Sequence, residues 1–421
     1  MIGRVILVIA VWAVAIRAQS EVDDVEDHST VGYSNDTHED AKLDAPGLIS
    51  KYGYPVETHR VITSDGYILT AHRIPHGKYK NNEPGPRPVV FLMHGLMCSS
   101  ADFIVLGPGS ALSYLLAEEG YDVWMGNARG NFYSRNHTTL NPDTDRKFWR
   151  FSWEHIGLYD LPAFIDYIIY ITGESKMHYI GHSQGGTVFL VLNSLKPEYN
   201  DKFISFQGLA PAAYFTHSEN EKRDHLARYI HIIEPIFFKL TKGELTNSTQ
   251  IKKMLDIICR NESILDTKCV ETVVRILSPD VAVLNQTMLP VFLSHTPAGA
   301  SIRQYTHYAQ SINRNTFARF NYGPLINLIL YKSDIPPEFD VSKITVPAYL
   351  YYGMSDHAVN YRDTFKLGSM LGNTIETIKI ERETVNHFDF IWGTHAKTEI
   401  YDTVFDRMKK APEHEKRYQL T

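Results

Sequence analysis

One serine in this 421-residue chain is placed as a nucleophile would be. It stands in YIGHSQGGTVF, residues 179–189, with apolar residues before and after it. Each glycine inside a regular element costs roughly 0.5–1 kcal/mol relative to alanine, so Gly181, Gly185 and Gly186 around Ser183 mark a backbone forced into an unusual shape. Gly-x-Ser-x-Gly between a strand and a helix is the nucleophile elbow, a turn so sharp that the residues two positions from the serine nearly collide. Glycine at 181 and 185 relieves that collision. Ser183 Oγ then projects above the sheet, and the N-terminus of the following helix favours negative charge at the same spot.

A serine alcohol needs a base, and the base needs a carboxylate to orient it. On an elbow the partners follow in the order Ser, Asp or Glu, His, on loops at strand ends. The strand-like run VPAYLYYG (346–353) leads into MSDHAVN, which offers Asp356. A second run, IETIKIER (375–382), leads into ETVNHFDF and offers His387. Rivals stand close by: His357, Asp389 and, on the last helix, His395. The tetrahedral intermediate also needs two donors for its oxyanion. One is the backbone N–H of Gln184. The other is that of Leu96, which follows His94-Gly95 at the end of the apolar run RPVVFLMHG (87–95). The chain has no HExxH or other zinc spacing and no GxGxxG, so the site is expected to work without a metal or cofactor.

These residues require a sheet with strand ends on one side. VETHRVITSDGYILTAHRIP (56–75) alternates around Asp65-Gly66 as a β-hairpin does. RPVVFLMHG and YDVWMGNARG (121–130) read as buried parallel strands. YDLPAFIDYIIYITG (159–173) reads as a helix that Asp160 caps, with Pro162 in its first turn and Gly173 at its end. Its apolar face is Leu161, Phe164, Ile165, Ile168 and Ile169. KMHYIGHS then reads as a strand, QGGTVFLVLNSL as a helix and FISFQGLAP as a strand. Strands alternating with helices imply an α/β fold with a mainly parallel sheet. Residues 213–336 interrupt it with a helix-leaning insertion that contains apolar clusters such as Ile232, Ile233, Ile236, Phe237 and Phe238.

The composition fits a globular protein, 43% hydrophobic and 21% charged, with a formal net charge of −6. No Lys/Arg-rich stripe marks a nucleic-acid partner. Arg4 precedes an apolar run from Val5 to Ile16, too short to span a bilayer comfortably, and Ala18 fits the end of a cleavage site, so 1–18 reads as a signal peptide, with a signal anchor as the alternative. No other segment reads as transmembrane. Residues 19–45 are acidic and nearly free of aliphatics, and read as a disordered leader or pro-segment. Residues 411–421 read as a tail. Entry into the secretory pathway, to a secreted or lysosomal destination, agrees with sequons at Asn35, Asn136, Asn247, Asn261 and Asn285. Of three cysteines, Cys259 and Cys269 are close enough to form a disulfide, and Cys98 reads as a buried, inert thiol.

Together these residues resemble the acid lipase family, which contains gastric and lysosomal lipases. The resemblance runs from about Leu48 to Asp406. It is carried by DGYILTAHRIPHG, FLMHGLMCSS, NARGNFYSRNH, YDLPAFIDYI, YIGHSQGGTVF, HTPAGASIRQYTHYAQ and NHFDFIWG, in that order. It implies an α/β-hydrolase fold, with a core at 46–212 and 337–410 and a helical cap and lid at 213–336. It further implies hydrolysis of neutral-lipid esters, triacylglycerol and/or cholesteryl ester, by a monomer at a lipid–water interface. Ser183 would be nucleophile, His387 base and Asp356 its orienter, with Leu96 and Gln184 as oxyanion donors and an acyl-enzyme between two half-reactions. A general carboxylesterase on small esters and a non-catalytic lipid carrier are the competing readings. A carrier has no need of the complete catalytic set.

Overall fold

Every residue of Val89–Met93 is buried, because the strand is covered on both sides. Val90 and Leu92 face one apolar layer, while Val89, Phe91 and Met93 face another. The same period-two division runs through Val123 and Met125 against Trp124, and through Tyr349 and Tyr351 against Ala348 and Leu350. A sheet patterned in this way needs helices on both faces. The computed structural model describes residues 35–245 and 288–418.

The strands are β1 (Glu57–Ile62), β2 (Tyr67–Ile74), β3 (Val89–Met93), β4 (Asp122–Asn127), β5 (Asn136–His137), β6 (Met177–His182), β7 (Phe203–Leu209), β8 (Glu244–Leu245), β9 (Ala300–Ser301), β10 (Ala348–Tyr352) and β11 (Thr374–Lys379). The main sheet has the order β1-β2-β4-β3-β6-β7-β10-β11, with β5 beside β2. β1 and β2 form the expected antiparallel hairpin, and β2 meets β4 antiparallel. From β4 to β11 all pairs are parallel. Helices Leu161–Thr172 and Gln184–Leu195 cover one face. Helix Leu112–Glu118 and the C-terminal helix Asp402–Tyr418 cover the other. The parallel arrangement puts the loops after β3, β6, β7, β10 and β11 at one edge.

The expected apolar face of helix Leu161–Thr172 is the buried one, and Gly173 ends the helix in the left-handed region at φ 74°. Asp160, however, does not cap it. The helix continues backward through a wider turn, Ile156–Asp160, to Trp153–His155, and the cap is Ser152, whose side chain accepts from the Glu154 N–H. The Asp160 carboxylate is fully buried on Arg129 instead, at 2.6 Å to Nε and 2.9 Å to the backbone N–H. Arg129 sends its two remaining nitrogens to Asp65, at 2.6 and 2.9 Å, and lies 4.0 Å over the Tyr67 ring. One buried cation thus joins the hairpin turn, the end of β4 and the helix.

Two other expectations change. Residues 35–45 are ordered: Asn35–Asp40 is a helix, and buried Asp40 pairs with Lys51 at 2.7 Å and accepts from the Tyr52 hydroxyl. Disorder was expected there because aliphatic residues are few; the stretch is held by these polar contacts and by Ala41, Leu43 and Ala45, which pack on the core. The helix Asp402–Tyr418 also runs through the boundary expected at 410, with Ala411 buried. Between β7 and β10 the longer described elements are helices, Glu221–Arg228, Ile230–Thr241, Leu289–His295, Ile302–Arg314 and Pro324–Tyr331. Residues 1–34, Cys259, Cys269, Asn247, Asn261 and Asn285 lie outside the described residues. Asn35 begins its helix, and Asn136 is exposed on β5. No helix among the described residues is long and apolar enough to cross a membrane.

Breaking a buried ion pair from one side leaves an uncompensated charge and costs roughly 3–5 kcal/mol. Arg129→Met is therefore expected to destabilise by that amount in chemical denaturation, and a loss under about 1 kcal/mol, the range of exposed pairs, would contradict this role.

Candidate active site

Ser183 sits at φ 53°, ψ −115°, between β6 and the helix Gln184–Leu195. A non-glycine residue held there stores about 1–3 kcal/mol and persists only if its surroundings over-determine it. They do. The Ser183 N–H donates to Leu209 O at 3.0 Å, and its carbonyl accepts from the N–H groups of Gly186 (2.9 Å), Thr187 (3.3 Å) and Ala212 (3.3 Å). The turn is tight enough that a Cβ on Gly181 would lie 2.6 Å from the Gly185 carbonyl carbon, and one on Gly185 only 2.0 Å from Met93 O.

The loops after β10 and β11 meet at the elbow. Asp356 is 4% exposed, and its Oδ1 accepts from the N–H groups of Ala358 and Val359, each at 2.8 Å. Oδ2 is 2.8 Å from His387 Nδ1. A carboxylate facing Nδ1 fixes the proton on that nitrogen and leaves Nε2 free as a base. His182, directly before the serine, reaches the same loop: its Nε2–H donates to His387 O at 2.9 Å, and the two rings lie 4.8 Å apart. Burial pushes the His182 pKa well down, keeping the ring neutral. Of the rivals, His357 and His395 are exposed. Asp389 is committed to the Asn386 N–H (3.0 Å) and Arg382 (3.2 Å), bracing the turn that carries His387.

The loop after β3 passes against the serine. A Cβ on Gly95 would stand 3.3 Å from Ser183 Cβ and 3.2 Å from His182 Nδ1, a tight fit that glycine relieves. His94 Nε2 accepts from the Ala128 N–H at 3.1 Å, which leaves Nδ1–H to donate to Gly95 O at 2.7 Å. Burial lowers the His94 pKa to about 4 and keeps the ring neutral, while these two bonds fix its tautomer. Because C=O and N–H oppose one another across a peptide plane, tying down Gly95 O aims the Leu96 N–H the other way. Asn131 Nδ2 bonds Asn127 Oδ1 at 3.0 Å, and Asn127 holds Ser100 through both backbone (3.0 Å) and hydroxyl (3.1 Å). His72 completes the chain at 2.8 Å from Ser100 Oγ. Sequence reasoning assigned no part to His72, Asn127 or Asn131. The one signal was the polar stretch NARGN directly after an apolar strand. Cys98 is the buried free thiol expected, its pKa raised by burial. Among the described residues no cluster of His, Cys, Asp or Glu is arranged to hold a metal ion.

A parallel sheet ending on a strained serine, with a His–Asp pair on two later strand ends, defines an α/β hydrolase. The description "alpha/beta hydrolase fold" matches residues 88–228, and "Partial alpha/beta-hydrolase lipase region" matches 45–107. Lipase 1 of Drosophila melanogaster is 41% identical over 379 residues, 89% of this chain and 82% of that one. Gastric triacylglycerol lipase of Rattus norvegicus is 36% identical over 384 residues (90% and 95%), and Lipase member K of Mus musculus 36% over 377 (88% and 92%). The chain belongs to the acid lipase family. It is a lipase, a hydrolase acting on lipid esters.

Asp102 lies in the same loop, fully buried, with Thr296 Oγ1 donating to Oδ1 at 3.1 Å and the Cys98 thiol alongside. Desolvation pushes its pKa up to about 7. A carboxyl raised on folding binds its proton more tightly in the folded state than in the unfolded chain, where Asp titrates near about 3.9. Its favourable contribution is thus complete at low pH and is lost as pH rises from about 4 to about 7. Asp102→Asn, which removes the ionisation, is expected to raise the thermal midpoint relative to wild type at about pH 8 but not at about pH 4. A difference that is the same at both values would contradict the burial argument.

Proposed function

We propose that this lipase cleaves carboxylic esters of neutral lipids, triacylglycerol and/or cholesteryl ester, with Ser183, His387 and Asp356 as its triad. The observation that carries the reading is the 2.8 Å His387–Asp356 bond on the loop that His182 ties to the elbow. His387 Nε2 takes the Ser183 proton as Oγ attacks the ester carbonyl. The N–H groups of Leu96 and Gln184 receive the developing oxyanion; among the described residues neither has a backbone acceptor. Collapse expels the alcohol, which leaves with the proton from His387. Water then repeats the sequence on the acyl-enzyme and regenerates the serine.

Two features support a lipid surface as the place of work. Leu325, Ile326, Leu328, Ile329 and Leu330 on one helix, and Ile232, Ile236 and Leu240 on another, are 40–79% exposed. Both helices belong to 213–336, read as a cap and lid over a core at 46–212 and 337–410. The rat relative is named for triacylglycerol. A signal peptide at 1–18, glycans on sequons such as Asn136 and a Cys259–Cys269 bridge belong to the same reading, a monomer that enters the secretory pathway for a secreted or lysosomal destination.

Ser183→Ala is expected to fold normally and lose on the order of 10⁴-fold or more in turnover, with His387→Ala close behind because the residues act as a unit. Wild type is expected to turn over emulsified long-chain triacylglycerol or cholesteryl ester faster than a dissolved butyrate ester. A tenth of wild-type activity in Ser183→Ala would remove the triad, and preference for the dissolved ester would reduce the protein to a general esterase.

A further inference from the structure

We propose that the helix Ile302–Arg314 of the insertion sets the spacing of the oxyanion hole, with Gln304 and Tyr305 as positioning residues. The inference rests on the reading of Leu96 and Gln184 as the two donors. Gln184 Nε2 donates to Gln304 Oε1 at 2.8 Å, and both side chains are almost fully buried. The next residue, Tyr305, sets its hydroxyl 2.7 Å from Sδ of Met97, the neighbour of Leu96. Consecutive helical residues point about 100° apart, so one turn of a single helix reaches both sides of the hole. The contact has a fixed register. Tyr308, one turn beyond Gln304, is 2.9 Å from the Thr187 hydroxyl, one turn beyond Gln184.

Met97 needs such a hold. It sits at φ 63°, a region a methionine adopts only when its surroundings impose it. The Ala298 N–H donates to Met97 O at 2.6 Å, so the segment leading into the helix grips the backbone where Tyr305 grips the side chain. The helix itself is anchored. His307 stacks on Trp153 at 3.5 Å and 3°, its Nε2 lies 2.9 Å from Ala318 O, and Ser301 Oγ donates to Trp149 O at 2.6 Å. Any lid movement of the insertion must therefore leave 298–314 in place, because this part completes the catalytic floor.

The hole works only if both N–H groups reach one oxygen at about 2.7–3.1 Å, and a misplacement near 1 Å costs about 10²-fold. The test uses a dissolved short-chain ester, so that interface binding does not enter, and a boronic acid as mimic of the tetrahedral intermediate. Gln304→Ala is expected to lower kcat about tenfold, within the range of a partly displaced donor, with KM unchanged and boronate affinity lowered by the same factor. Gln184→Ala keeps its backbone N–H but loses the tether, so adding Gln304→Ala to it should cause no further loss. Tyr305→Phe, nearly isosteric, should lower kcat in the same way, and should do so no further in a Met97→Leu background. Unchanged kcat in both single variants would overturn the proposal. So would equal losses with and without the Gln184 side chain, or losses seen only on emulsified lipid. Failure of the underlying triad reading would show separately, as a wild type insensitive to the boronate.

Discussion

The close approach of β6 and the start of helix Gln184–Leu195 is the constraint on which the rest depends. With 2.6 Å between an imagined Cβ at 181 and the Gly185 carbonyl carbon, and 2.0 Å between one at 185 and Met93 O at the end of β3, the chain can turn there only with glycine, and the turn leaves Ser183 in a strained conformation. The strain is held by β7 through Leu209 and by Ala212. It also brings the Gly95 loop to van der Waals distance of the serine. The sheet order follows the same need. β3, β6 and β7 are adjacent, and β10 and β11 lie beyond, so every loop that must reach the serine leaves the same edge.

Around that fixed point the protein spends its buried polar groups on holding loops still. His94 fixes the Gly95 carbonyl, Asn131 and Asn127 fix the turn beyond it, and His182 fixes the backbone of His387. These histidines are neutral because burial disfavours their charged form, and neutrality is what makes one nitrogen a donor and the other an acceptor. A preorganised site of this kind incurs its ordering cost during folding, so little reorganisation remains for the reaction itself. Arg129 serves the same end at longer range, joining the turn after β1 to the helix that packs under the elbow.

What could be read from the sequence was what is local. Glycine spacing around Ser183 announces the elbow, and short strand-like apolar runs locate β3, β6, β7 and β10. Asp356 and His387 can be singled out because they follow two such runs directly. The remainder was hidden because its partners are distant. Asp160 has every attribute of a helix cap, yet a cation 31 positions earlier claims it. Residues 35–45 are poor in aliphatics, and their order comes from Lys51 and Tyr52 outside the stretch and from the seating of Ala41, Leu43 and Ala45 on the distant core. Gln184 and Gln304 are 120 residues apart, a pairing that no periodicity records.

The claim at the centre is that Ser183 is a nucleophile activated by His387. Treating the protein with a fluorophosphonate and mapping the adduct by peptide mass spectrometry tests this without any choice of substrate. The account predicts stoichiometric phosphonylation of the peptide containing Ser183, lost in His387→Ala while that variant remains folded. Modification of another residue, or labelling of Ser183 that survives loss of His387, would contradict it.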